Sequence, residues 1–127
     1  MRRLALACLT VCVPTAASAA CPDAPDWSIA PFLQAGDQQI DYWWLVETLG
    51  HARIDYAGGT EEYLPGGAYR FTAEGFSWEA PATRFYRNGA RCIDYPDGPR
   101  IDYYLLANGR LVLVDRQGTR YIGLISQ

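Results

Sequence analysis

The chain has 127 residues, of which 50% are hydrophobic and 20% charged, a composition that excludes an intrinsically disordered polypeptide. Its 11 basic residues are all arginine, and against 14 Asp and Glu they leave a net charge of −3. That is the wrong sign for a protein that binds nucleic acid through its phosphates.

Residues 1–20 read MRRLALACLTVCVPTAASAA. Arg2 and Arg3 precede an apolar stretch from Leu4 to Val13, and Ala17-Ser18-Ala19 supplies small residues before a cut, which is the pattern of a secretory signal peptide. Residues 21–127 then form a single small domain, expected in the periplasm or secreted. No apolar run in it is long enough for a transmembrane span. Cys8 and Cys12 fall in the leader. Cys21 and Cys92 remain, and in an oxidising compartment such a pair forms a disulfide. The alternative is an outer-membrane lipoprotein with a lipid anchor on Cys21. Ser18 occupies the position where such signals usually carry Leu, which weighs against it.

Beyond Cys21, a segment with Pro22, Pro25 and Pro31 reads as irregular. A helix is expected from about residue 38 to 49, with Asp37 as N-cap and Gly50 just past its end; a strand is the alternative, because Ile40 to Val46 is aromatic and branched. Ile40, Trp43, Trp44, Leu45 and Leu49 would form the broad apolar face of the helix. From residue 52 onwards the pattern is β. Short strands are expected at Ala52 to Tyr56, Ala68 to Phe71 and Phe76 to Glu79, with Gly75 in a bulge. A five-strand meander follows from 83 to 125, punctuated by Asn88-Gly89, Pro96-Asp97-Gly98, Asn108-Gly109 and Asp115 to Gly118.

A two-residue loop at 88–89 would set Phe85 opposite Cys92 on the core face, and Tyr86 opposite Arg91 on the other. The loop at 108–109 would set Leu105 opposite Val112 and Leu106 opposite Leu113. Both faces of that pair are apolar, so one must be covered by the helix or by a partner. The tripeptide Ile-Asp-Tyr recurs at 40–42, 54–56, 93–95 and 101–103 without a fixed period. Ile and Tyr are expected to pack on one strand face and Asp to meet water.

The predicted fold class is mainly β: a small antiparallel meander or curved sheet, or a closed barrel, with one N-terminal α-helix. The strand-Asn-Gly-strand tail resembles the hairpins of lipocalin-like barrels. The likeness is architectural and brings no family motif.

Bond-making chemistry finds little support. A Ser77–His51–Asp55 triad is conceivable, but Gly75-Phe-Ser77-Trp-Glu79 lacks the second glycine of a nucleophile elbow. One histidine and a paired cysteine set offer no usual zinc site, and no cofactor or metal is expected. Glu47, Glu61, Glu62, Glu74 and Glu79 offer many carboxylate pairs, and the sequence selects none of them. Candidate contact residues are Tyr42, Trp43 and Trp44, and the group Arg84, Tyr86, Arg87 and Arg91, because aromatic and Arg side chains favour interfaces. The expected function is a non-enzymatic binding domain for a protein, a cell-envelope component or a small ligand. Two alternatives stand beside it. One is a lipocalin-like carrier of a small apolar molecule, with a cavity lined by Tyr, Leu and Val. The other is an envelope-polymer hydrolase working through acidic residues.

Overall fold

Tight turns with left-handed backbone dictate how this chain doubles back. At Glu74-Gly75 φ is 42° and 82°, and at Asn108-Gly109 it is 50° and 80°. Two successive positive φ values define the type I′ turn, whose twist matches that of the strands it joins. A computed structural model describes residues 20–127; the predicted leader lies outside the described residues, apart from its last one.

The elements run β1 (Asp37–Gln39), α1 (Tyr42–Trp44) continued by a π turn (Leu45–Leu49), β2 (Arg53–Tyr56), β3 (Gly59–Tyr63), β4 (Tyr69–Ala73) and β5 (Phe76–Ala80). They continue with β6 (Thr83–Phe85), β7 (Ala90–Tyr95), β8 (Gly98–Ala107), β9 (Arg110–Val114) and β10 (Arg120–Ser126). Every pairing is antiparallel, in the order β5-β4-β3-β2-β10-β9-β8-β7-β6, with β1 added on β8. β10 makes the join: Arg120 to Gly123 pair with β9, and Leu124 to Ser126 with β2. The two sheet edges, β5 and β6, are joined through Pro81 and Ala82 alone, and β5 lies against β7. The sheet is therefore a nearly closed antiparallel barrel, open only at the β5–β6 seam. Closure needs Gly123. A Cβ there would lie 2.6 Å from Ile54 Cγ2 and 3.0 Å from Tyr56 Cε1.

Strand alternation divides the side chains into two cores. Inside the barrel, Ile54, Tyr63, Tyr69, Ile93, Tyr104, Leu111 and Leu113 pack with Ile40, Leu45 and Leu49, which plug one end. Outside, Ala90, Cys92, Ile101, Tyr103, Leu105, Val112 and Val114 face the proline-rich segment, which contributes Trp27, Ile29 and Phe32. Trp27 Nε1 donates to the Ile101 carbonyl at 3.0 Å, and the Tyr86 hydroxyl to the Pro22 carbonyl at 2.6 Å. The Cys21–Cys92 disulfide fastens the same segment. The doubly apolar β8–β9 pair is thus covered on its outer face by the N-terminal segment, while its inner face packs with Leu45 and Leu49 of the helix. The disulfide also commits the Cys21 sulfur, leaving none for a thioether lipid anchor.

Several local expectations change. The helix is shorter than expected: residues 37–39 form a strand, and Asp41 is the cap, its Oδ1 accepting from the Trp44 N–H at 2.8 Å. Gly50 keeps a right-handed backbone; it is required because a Cβ would meet the Val46 carbonyl at 2.4 Å. No bulge occurs at Gly75, which belongs to the two-residue turn. The 88–89 loop gains Arg87, so Arg84 faces Cys92 and Phe85 faces Arg91. Only Gly89 takes positive φ there, as in a three-residue loop built on a type I turn. Such a one-residue slip exchanges the two faces: it moves Cys92 to the outer core and Arg91 to the interior. Leu106 faces Leu111 instead of Leu113, which faces Tyr104.

The disulfide spans 71 residues, and the chain-entropy estimate for such a loop is about 4 kcal/mol. Replacing Cys21 and Cys92 together with Ala should lower Tm by about 15 °C or more in a domain of this size. Circular-dichroism melts of the oxidised protein and the double variant measure the difference.

Candidate functional site

Interior-facing positions of β3, β7 and β8 bring charged residues into the barrel. Arg91 on β7 and Asp102 on β8 are paired in register, and Glu61 reaches in from β3. All three are buried, with exposures of 2% for Arg91 and 1% each for Glu61 and Asp102. Burying such charges costs several kcal/mol per ion unless they are paired and hydrogen-bonded. Here they are. Arg91 Nη1 donates to Glu61 Oε2 at 2.6 Å and to the Tyr63 hydroxyl at 2.8 Å, and Arg91 Nη2 donates to Asp102 Oδ2 at 3.1 Å. Glu61 also accepts from the hydroxyls of Tyr56 at 2.5 Å, Tyr69 at 2.6 Å and Tyr104. At the rim, Arg100 Nε donates to the same Asp102 oxygen at 2.9 Å. The result is an alternating row, Glu61–Arg91–Asp102–Arg100, with no net charge.

Burial on its own raises the Glu61 carboxyl, but the Arg91 charge and the phenol donors outweigh it and hold the group below the ordinary value of 4.5. Burial, reinforced by the Glu61 charge, pushes the hydroxyls of Tyr56, Tyr63, Tyr69 and Tyr104 upward. All four stay protonated at neutral pH and keep donating.

Above this polar layer, at the end away from α1, the barrel is open. A pocket of about 260 Å³ has Glu61 and Arg91 among its lining, with walls from Tyr56, Tyr69, Phe71, Tyr95, Leu113 and Tyr121, and Arg100 beside them. Phe71 packs at a tilt against Trp78 with centroids 5.9 Å apart, and Trp78 against Phe76 at 6.0 Å, extending an aromatic strip outward along β5. The valines of β9 face the outer core instead. Gly58 in the β2–β3 turn borders the pocket, and a Cβ there would meet nothing within 4 Å.

Five of the seven contact residues expected from sequence converge elsewhere. Tyr42, Trp43, Arg84, Tyr86 and Arg87 line a shallow cleft of about 800 Å³ between the N-terminal segment, α1 and the β6–β7 loop. Trp43 is 67% exposed. Arg84 is 3.3 Å from Asp23 and lies over the Tyr86 ring. Trp44 packs against the interior core, and Arg91 is the buried centre of the polar layer.

Of the acids considered for hydrolysis, Glu61 lines the pocket, whereas Glu62 and Glu79 are engaged by an arginine on the sheet. Glu79 is 3.1 Å and Glu62 3.9 Å from Arg70, which faces both across the sheet. Asp55 and Ser77 lie in one register row but three strand spacings apart, about 14 Å. Asp55 is engaged by Thr60 and Arg53. Among the described residues no three His, Cys, Asp or Glu side chains gather as a metal site.

Sequence reasoning reached Glu61 only as one of several acids and did not bring it, Asp102 and the surrounding tyrosines together around Arg91. Glu61 belongs to a strand, Gly59-Thr-Glu-Glu-Tyr63, whose composition is poor in β formers. Asp102 sits in the one Ile-Asp-Tyr copy that reverses its faces: Ile101 and Tyr103 point to the outer core and Asp102 inward. At 54–56 and 93–95 the Ile and Tyr do pack inward. A Glu in alternation with Tyr63, and an Asp flanked by apolar residues on both sides, were the available signals.

No known family model, no curated protein and no solved structure matches the chain.

The folded Glu61 pKa is depressed, so its stabilisation is complete above about 4.5 and is lost as pH falls through the lowered folded value. Glu61→Gln leaves Arg91 short of its counter-charge and should cost about 3–5 kcal/mol. Tyr56→Phe, which removes one donor, should cost about 1–3 kcal/mol. Urea unfolding at pH 7 and at pH 3 measures both effects, and the Glu61→Gln protein should lose less stability between the two pH values than the wild type.

Proposed function

We propose that this protein is a non-enzymatic binding domain that carries a small, largely apolar ligand in the open end of its barrel. The supporting observation is the aromatic pocket seated on a polar layer of paired charges and hydrogen-bonded phenols. Binding sites are typically concave, mostly apolar and furnished with few polar groups. At about 260 Å³ this pocket suits a ligand smaller than those held in the usual 300–1,000 Å³ sites. The saturated carboxylate favours holding over reacting: Glu61 already accepts four hydrogen bonds, so it has little basicity left for proton abstraction. The leader-like residues 1–20 and the Cys21–Cys92 disulfide support work in the periplasm or outside the cell.

A second reading rests on the other cleft. Trp43 and Arg87 stand out there, and Tyr42 and Trp43 form an edge-to-face pair at 5.2 Å. That cleft suits contact with a protein or envelope partner, since exposed aromatic and Arg side chains anchor interfaces.

Titration with phenol, a neutral ring of suitable size, distinguishes the two sites. The ring resonances of Tyr56, Tyr95 and Tyr121 should shift saturably in wild-type protein. Gly58→Trp fills the mouth from an ordinary backbone conformation and should abolish the shifts, whereas Trp43→Ala should leave them intact. Absence of saturable shifts in the wild type would rule out the pocket as the binding seat.

A further inference from the structure

The hydrogen-bonding capacity left over at the pocket is unequal in sign. On the acceptor side, the Glu61 carboxylate is occupied by four donors, and the Asp102 oxygen that meets Arg91 is shared with Arg100. On the donor side, Arg91 Nε is buried without a hydrogen-bond partner, the only such side-chain atom among the described residues. Arg100 uses its Nε on Asp102, while its two terminal nitrogens have no partner among the described residues. Both arginines line the pocket. The donor excess that a ligand can reach is therefore that of the Arg100 terminal nitrogens, backed by the Arg91 charge.

From this we propose, building on the carrier reading above, that the ligand class is a planar aromatic monocarboxylate of benzoate size. The ring lies among Tyr56, Phe71, Tyr95 and Tyr121, whose faces and edges suit stacked or edge-on packing. The carboxylate turns towards the two unpartnered terminal nitrogens of Arg100, whose planar guanidinium matches carboxylate geometry, with the Arg91 charge behind it. The row Glu61–Arg91–Asp102–Arg100 is balanced without ligand, so a single negative charge is accommodated at the rim, where Arg100 keeps about half its side chain in solvent. An aromatic ammonium ion would find the carboxylates already engaged and two guanidinium groups beside it.

Isothermal titration of the disulfide-intact protein with benzoate, benzamide and benzylamine at pH 7 tests this. Benzoate should bind at least about tenfold more tightly than benzamide, the gain expected of one charge-assisted hydrogen bond, and benzylamine more weakly than either. Arg100→Gln should reduce benzoate affinity to the level of benzamide and leave benzamide unchanged; a Tm within a few degrees of wild type verifies that this variant is folded. Equal binding of benzoate and benzamide, both blocked by Gly58→Trp, would overturn the carboxylate assignment while leaving the carrier reading in place. Preference for benzylamine would overturn it in the same way. No binding of any of the three, together with no response to phenol, would overturn both.

Discussion

One ion pair links the two halves of this barrel. Glu61 belongs to β3, in the half built from β2 to β5, and Arg91 to β7, in the half built from β6 to β10. Their contact crosses the interior and is reinforced from both sides, by Tyr56 and Tyr69 on the first half and Tyr104 and Asp102 on the second. Charges this deep are tolerable only as a completed network, because a half-satisfied one costs more than an apolar core. The network therefore constrains register as well as energy. A slip of one residue in β3 or β7 would turn Glu61 or Arg91 outward and strand the other.

That constraint also shapes the cavity. Below the polar layer, Leu45, Leu49 and Ile54 fill the barrel as an ordinary core. Above it the lining residues are large and mostly aromatic, Tyr69 and Tyr95 meeting edge to face at 6.0 Å, and they enclose the pocket. A floor of interlocked hydrogen bonds holds its shape better than aliphatic side chains would, since each phenol is fixed by a directional bond. The site is presented by strands rather than by long loops, which favours a preformed seat over an induced one.

The N-terminal segment does for the outside of the sheet what the helix plug does for the inside. β8 and β9 are apolar on both faces, and a sheet with two apolar faces needs two covers. The helix and the barrel interior supply one. Trp27, Ile29 and Phe32 supply the other, fixed by hydrogen bonds to β8 and by the disulfide to β7. A domain of this size buries a modest fraction of its surface, which makes a covalent staple on this outer layer effective.

Sequence alone was enough for the β class, a single helix near the start, the tight turns and the Cys21–Cys92 bridge. Each follows from local chemistry: alternation, turn residues that accept positive φ, and a lone pair of cysteines. What escaped it depended on contacts between distant segments. β1 and β3 have little intrinsic strand preference and exist because β8, β2 and β4 pair with them. Arg91 looked like a surface residue until one extra loop residue exchanged the faces of β7. The third and fourth Ile-Asp-Tyr copies are identical in letters, yet Asp94 is partly exposed and Asp102 is buried. A strand's pattern says that its faces differ. Which face turns inward is decided only when the barrel closes and a buried charge finds its partner on the opposite wall.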